Sequence, residues 1–370
     1  MKLAVVAGEA SGDLHASEVI RELRKREPEL ALFGIGGDLL AAEGMEILHH
    51  AKDLGIVGLF NVLRHLPMFR RVFRELIERI ERERPDVVFL IDYPDFNLRV
   101  AKRCKELGLR VVYYISPQIW AWRTGRVRHI ARYVDRMLVI FPFEETFYRE
   151  HQVPVTYVGH PLIEQLGHVT KPPRRGDVLR IALMPGSRRM EVESLLPPML
   201  DAIDVLRRER AIDAYIIQAP TIAIELLQRI VAEKGIDVPV LPNADNGRGE
   251  GVASADVSLS SSGTATLESA ILGTPVVVMY RLSRATYALA KKLVRLPHFG
   301  LVNIVAGKEV VPELIQEDVN GERIAAEVRK LVEPRRYAEV TAELARVREL
   351  LGEPGAATRA AEEIHKMGAR

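Results

Sequence analysis

Short apolar runs alternate with longer stretches of helical period along almost the whole chain. Residues 3–7 form an apolar run of strand length, and residues 13–26 carry Leu14, Val19, Ile20 and Leu23 at helical spacing. Val87–Ile91, residues 110–115 and residues 137–140 are further β-branched runs, separated by helical stretches at 98–107 and Val127–Tyr133. The segment HVTKPPRRGD at 168–177 is polar, holds two prolines and reads as a linker. Beyond it the pattern restarts with a strand at Leu179–Met184, a PGSR turn and a long helix through Arg207. Strands follow near 214–218, 238–241, 257–259 and 275–279, and from about Arg323 the chain reads helical. This alternation predicts an α/β protein with two Rossmann-like, doubly wound parallel sheets, each covered on both faces. The expected domains are 1–167 and 178–340, with C-terminal helices in 341–370 free to cross back onto the first. Ligands are expected at the C-terminal ends of the strands, facing an interdomain cleft.

Composition narrows the function classes. A chain of 370 residues fits two domains, and 48% hydrophobic with 28% charged residues is ordinary for a globular protein. A net charge of +2 gives no global electrostatic case for nucleic acid. Cys104 is the single cysteine, which excludes an internal disulfide and every multi-cysteine metal site and fits a reducing cytoplasm. The opening MKLAVVAGEASGD is too short for a signal peptide, and no apolar run reaches the ~18 residues of a membrane span. No histidine has metal-ligand spacing, so His49, His50 and His160 are read as structural and no metal is indicated.

Candidate chemistry lies at the strand ends. Gly8-Glu9-Ala10-Ser11-Gly12-Asp13 is a tight turn into a helix and suits an anion or a close backbone approach. It is not a G-x-G-x-x-G fingerprint, and Ser11 or Asp13 would equally serve as an N-cap. Glu9 is a carboxylate that a plain turn does not require. Asp92 closes the strand VVFLI, while Asp95 with Asn97 reads as a helix cap. In the second half Gly186-Ser187-Arg188 and Ser262-Gly263-Thr264 each follow a strand and open a helix, and together they suit a nucleoside diphosphate. Glu268, on the helix after the second turn, is otherwise an ordinary helix acid. Both tryptophans, Trp120 and Trp122, stand in YISPQIWAWR beside Arg123, either as core plugs or as a site lining. Residues 56–80 crowd Phe60, Leu63, Leu66, Phe69, Val72, Phe73 and Leu76 beside Arg64, His65, Arg70, Arg71 and Arg74. That pattern fits either an anionic membrane surface or a core helix with a solvated basic face, and Pro67 predicts a break in it.

Taken in order, VAGEASGD, IDYPDFN, YISPQIWAWR, GHP at 159–161, MPGSR and SSGTATLE resemble the lipid-A-disaccharide synthase family, from Met1 to the last helices. The resemblance implies a glycosyltransferase-B fold and an inverting transfer that uses neither metal nor cofactor. The donor would be UDP-2,3-diacylglucosamine and the acceptor 2,3-diacylglucosamine 1-phosphate, or lipid X. It implies Asp92 as general base with Glu9 as the second candidate. UDP would be held by Gly186, Ser187, Arg188, Ser262, Gly263, Thr264, Glu268 and Asn303. The acceptor side would carry Ser11, Trp120, Trp122 and Arg123. Leu66, Phe69, Arg70, Arg71, Phe73 and Arg74 would dock on the anionic inner face of the cytoplasmic membrane, so the protein is expected to be cytoplasmic and peripheral, with a homodimer left open. The chain departs from the family's usual residues at Asp38 and Val302, where proline is usual, and at Tyr93, where alanine is usual. The competing readings are a peptidoglycan glucosaminyltransferase, a 2-epimerase of the same fold, or a non-catalytic nucleotide-sugar or lipid-binding protein.

Overall fold

A computed structural model of the chain describes residues 1–55, 62–122, 124–173, 176–242, 247–283, 286–287 and 297–369. Residues 55, 62–65, 122, 124, 247 and 248 are described by backbone alone. Two compact units result, Met1–Pro161 with Glu353–Arg370, and Leu162–Gly352.

The first unit is built on seven parallel strands: β1 Lys2–Ala7, β2 Ala31–Gly36, β3 Glu46–His50, β4 Val87–Ile91, β5 Arg110–Tyr114, β6 Arg136–Val139 and β7 Val155–Tyr157. Their order is β3-β2-β1-β4-β5-β6-β7, so the winding reverses between β1 and β4. β1 and β4 run in register from Leu3 opposite Val87 to Ala7 opposite Ile91. All five residues of β4 are buried, which explains its unbroken apolar run: helices cover both faces. The last helix, Ala356–Gly368, belongs to this unit. It lays the buried positions Ala357, Ala360, Ala361 and Ile364 toward the fold, at the spacing of a single helix face. It packs on helix Ala10–Arg24 and is pinned by Arg26 to Glu362 and by Arg359 to the Val158 carbonyl.

The second unit has six parallel strands: β8 Leu179–Met184, β9 Ile212–Ile217, β10 Val240–Leu241, β11 Val257–Ser261, β12 Val276–Tyr280 and β13 Glu313–Ile315. The order β10-β9-β8-β11-β12-β13 reverses between β8 and β11. Helix Pro334–Leu350 packs on helices Thr264–Ile271 and Leu301–Ala306 of this same unit. The first unit therefore ends six residues before 167, and of the C-terminal helices only the last joins it.

Pro67 does not break the chain as expected. One helix runs from Val62 to Glu83 with Pro67 inside it. The proline stands in the second turn, where its missing N–H removes a single intrahelical bond, and the apolar stripe beyond it holds the helix to the sheet. Val72, Leu76, Ile77 and Ile80 are core residues, and Phe69 and Phe73 pack half-buried against them, Phe73 edge-on to Phe96. Neither phenylalanine is the free membrane anchor that the sequence suggested. Arg70, Arg71 and Arg74 are exposed and Leu66 is half-buried. Phe60, Leu63, Arg64 and His65 lie outside the residues whose side chains are described.

Asp13 has a role the sequence did not disclose. It caps no turn of its own helix, whose N-cap is Glu9 without a side-chain bond. Instead its buried carboxylate accepts the backbone N–H groups of Gly37 (2.6 Å), Leu39 (3.0 Å) and Leu40 (3.3 Å), and so caps the helix after β2. Replacing it leaves three inward-facing donors without an acceptor. Asp13→Ala should cost about 3 kcal/mol, the scale of a lost charge-assisted acceptor. That loss reads out as a lower urea midpoint of the first unit, and an unchanged midpoint would show that these bonds carry no net stability.

Candidate active site

The reversal between β1 and β4 brings two sequence-distant carboxylates to one end of the first sheet. Glu9 follows β1 and is exposed; Asp92 follows β4 and is half-buried. Asp92 and Tyr93 both adopt left-handed backbone, with φ of 44° and 50°. Such residues are strained unless their surroundings fix them. Here the Asp92 carbonyl accepts from Tyr113 Oη (2.5 Å) and Asn97 Nδ2 (2.8 Å), while the Asp92 N–H donates to the Tyr114 carbonyl (3.0 Å). Asn97 is therefore not a helix cap: it is wholly buried under the strand end and also donates to the Ile91 carbonyl. Asp95, in the first turn behind the N-cap residue Tyr93, pairs with Arg126 at 2.5 Å. The Tyr93 ring lies over Gly8, so close that a Cβ there would stand 2.5 Å from it, which makes a side chain at position 8 impossible without moving the tyrosine.

Burial, and then the negative charge of Glu9, raise the Asp92 carboxyl to about 6, against the opposing pull of the Tyr93 N–H and of His15. A group so poised changes charge near neutral pH and can accept a proton there. His160 stands under the same region, stacked obliquely on Phe141 at 5.2 Å. Burial, with the charge of His15, drives it down to about 3, so it stays neutral. Ser11 is exposed in the first turn of helix Ala10–Arg24.

Trp120 is neither a core plug nor a free ring. It is half-buried, edge-on to Phe143 at 4.8 Å, and its Nε1–H donates to Glu144 Oε1 (3.0 Å). Glu144 comes from helix Pro142–Glu150, is almost wholly buried, and also accepts the Phe141 N–H. Burial pushes its carboxyl up to about 7, although the hydrogen bonds from Trp120, Phe141, Ile140 and Ser116 oppose the rise. Glu144 thus ties both ends of SPQIW to one helix. In the sequence it looks like an ordinary first-turn acid. The Trp122 side chain and Arg123 lie outside the described residues.

In the second unit the reversal between β8 and β11 opens a cavity of about 250 Å³. Gly186, Ser187 and Arg188 line one side, Ser262, Gly263 and Thr264 the other, and Glu268 the floor of the second turn. The first turn leads into helix Arg189–Arg207 and the second into helix Thr264–Ile271, so two positive helix ends border the same space. The Arg188 guanidinium is mostly exposed beside it. Two N–H-rich turns and one arginine are the donor set for phosphate oxygens. Among the described residues no three His, Cys, Asp or Glu side chains are grouped to hold a metal ion.

Asn303 does not line this cavity. It is fully buried, and its amide is spent inside the protein. Nδ2 donates to the Val311 carbonyl and Glu313 Oε1 (both 2.8 Å), and Oδ1 accepts the N–H groups of Val310 (2.8 Å) and Val311 (3.0 Å). Its reach toward the cavity is indirect. Glu313 also accepts the N–H groups of Phe299 (3.1 Å) and Gly300 (2.9 Å), and the Phe299 carbonyl accepts Ser262 Oγ–H (2.9 Å). Val302, also fully buried, fills the place where the resemblance expects proline.

Comparison with known proteins agrees with this layout. The model of the family described as lipid-A-disaccharide synthetase matches residues 3–365. The lipid-A-disaccharide synthase of Myxococcus xanthus (strain DK1622) is 44% identical over 372 residues, covering 98% of this chain and 96% of its own length. Among solved structures, the UDP-GlcNAc 2-epimerase from Neisseria meningitidis bound to UDP-GlcNAc aligns over 99% of this chain and all of its own, with a TM-score of 0.64 at 15% identity. CalG4, the calicheamicin glycosyltransferase, aligns over 100% of this chain and 98% of its own, with a TM-score of 0.62 at 15% identity. At such identities these structures speak for the fold, that of the glycosyltransferase-B proteins and related epimerases. Two parallel-sheet units, each with its strand-end turns intact, and a match along nearly the entire sequence place the chain in the lipid-A-disaccharide synthase family.

Proposed function

We propose that this chain transfers 2,3-diacylglucosamine from its UDP derivative to the 6-hydroxyl of 2,3-diacylglucosamine 1-phosphate, giving the lipid A disaccharide 1-phosphate and UDP. What carries the reading is that each sheet's switch point holds one part of the chemistry, a raised-pKa carboxylate in the first unit and an anion-suited cavity in the second. In an inverting displacement the acceptor oxygen bonds to the sugar C1 as the C1–O bond to the β-phosphate breaks. The hydroxyl proton goes to Asp92, and the departing charge goes to the Ser187 turn, the Gly263–Thr264 helix start and the Arg188 guanidinium. Glu268 is proposed to hold the ribose hydroxyls. The epimerase alternative shares the fold at 15% identity.

Both proposed substrates carry acyl chains, whereas no described helix is long and apolar enough to cross a membrane. We therefore assign the meeting with substrate to the surface of the inner membrane face, with Arg70, Arg71 and Arg74 toward anionic headgroups and Leu66 beside them. Glu75 and Glu78 pair with two of these arginines at 4.0 and 3.8 Å, so the useful charge is local to the start of the helix.

Two measurements test these assignments. For a base with a carboxyl near pH 6, kcat/KM should fall as pH drops through 6, because only the ionised form accepts the proton. Asp92→Asn should lower kcat by roughly 10²-fold or more. Glu9→Gln removes a charge that raises the Asp92 carboxyl and should move the acidic limb to lower pH; an unmoved limb would detach Glu9 from Asp92. Neutralising Arg70, Arg71 and Arg74 together with glutamine should weaken co-sedimentation with phosphatidylglycerol vesicles by roughly 100-fold at low salt, at about 1 kcal/mol per charge. The thermal midpoint should stay put, since all three are solvated, and undiminished vesicle binding would remove this helix from the interface.

A further inference from the structure

Half of the donor set of the second unit's cavity, the Ser187–Arg188 turn, is already engaged by an anion of the protein's own. Glu191, on the first turn of helix Arg189–Arg207, folds back over the Gly186 turn. Its Oε2 accepts the N–H groups of Ser187 (3.1 Å) and Arg188 (3.3 Å), and its Oε1 accepts Arg188 Nη1 (2.8 Å). The carboxylate sits against the bare face of Gly186, where a Cβ would be 2.5 Å from Oε2; with φ at 125°, glycine is what that backbone suits. Two backbone N–H groups, a guanidinium fork and a positive helix end are the contacts that would take a phosphate oxygen pair. A carboxylate and a phosphate cannot both hold them.

We infer that Glu191 is a built-in competitor for the donor's diphosphate: its carboxylate occupies the Ser187–Arg188 anion site in the free protein and withdraws when the nucleotide arrives. The inference rests on the reading of this cavity as the UDP site. Filling the site with an internal anion keeps the arginine and the turn oriented while empty, so that little reorganisation is needed on binding. It also lowers nucleotide affinity by the fraction of time the site is self-occupied, which favours release of the UDP product. The same contacts form a capping box at the helix start. A cap with no further role predicts the opposite outcome on mutation: a looser turn and weaker UDP binding.

Titration of UDP into the full chain by calorimetry, with wild type, Glu191→Gln and Glu191→Ala in parallel, separates the two. Self-occupancy of about nine-tenths would make UDP roughly tenfold tighter in both variants. Thermal midpoints recorded alongside report any loss of the cap, and tighter UDP binding despite a lower midpoint supports the inference most directly. Binding by wild type with equal or weaker binding by both variants overturns the inference and leaves the UDP site standing. Absence of UDP binding in all three overturns the site reading and the inference with it. Binding by the variants alone supports both.

Discussion

The carbonyl oxygen of Asp92, accepting from Tyr113 Oη and Asn97 Nδ2, fixes the geometry on which the first unit's strand-end site depends. β4 ends at Ile91, the helix begins at Pro94, and Tyr93 is already its N-cap. Asp92 and Tyr93 alone are left to turn the chain, and both are left-handed. Each such residue costs about 1–3 kcal/mol. The two buried side-chain donors offset part of this by bonding to the carbonyl that the turn presents. The compression holds Asp92 at the edge of a sheet that is apolar on both faces. Burial there, more than any neighbouring charge, lifts its carboxyl. Strain, position and acidity share one cause.

The second unit meets the same topological demand without side-chain strain. Gly186 and Gly263 take the positive φ values at its two switch-point turns. The difference follows from what each site must present. A turn that offers a carboxylate needs a residue with a side chain and must support it from beneath. A turn that offers bare N–H groups to an anion is best made by glycine and its small neighbours. Asn303 and Glu313 stabilise this arrangement from behind, through Phe299 and Ser262, and touch the cavity only at one remove.

Much of this was legible in the sequence where a strong local pattern coincided with a structural role. β1, β4, β8 and β11 read as strands because they are buried on both faces, and the turns that follow them hold the named candidates. β2 and β3 were not legible: ALFGIG is interrupted by glycine, and EILHH has too few apolar residues to form a run. β7 and β13 are three residues each, below what periodicity detects. The supporting residues were hidden for another reason. Asp13, Asn97, Glu144 and Asn303 act on backbone or side chains that the fold brings near, and a polar residue's sequence neighbours do not reveal a tertiary partner. Glu191 escaped notice because its capping box begins with Arg188 instead of the serine or threonine that signals one. Pro67 misled because a breaker near a helix start costs a single bond, which a core-facing stripe outweighs.

The allocation of charge between the two sheets follows from what each half of an inverting transfer needs. A general base must be ionised for part of its cycle and still hold a proton tightly enough to take it from a hydroxyl, so its carboxyl should be raised. A cation beside Asp92 would undo that rise, as the opposing contribution of His15 shows in small measure. A departing diphosphate has the opposite requirement, for N–H groups and a guanidinium, and Arg188 is the guanidinium proposed for it. Among the groups that set the Asp92 carboxyl no arginine or lysine figures, and the nearby charge of consequence is another acid, Glu9. The duplicated strand-end architecture lets each sheet carry one sign of charge at its own switch point. Glu191 is the exception that needs its own reason, since an acid on the cationic side opposes the binding of an anionic ligand, unless the opposition itself serves turnover by hastening the release of UDP.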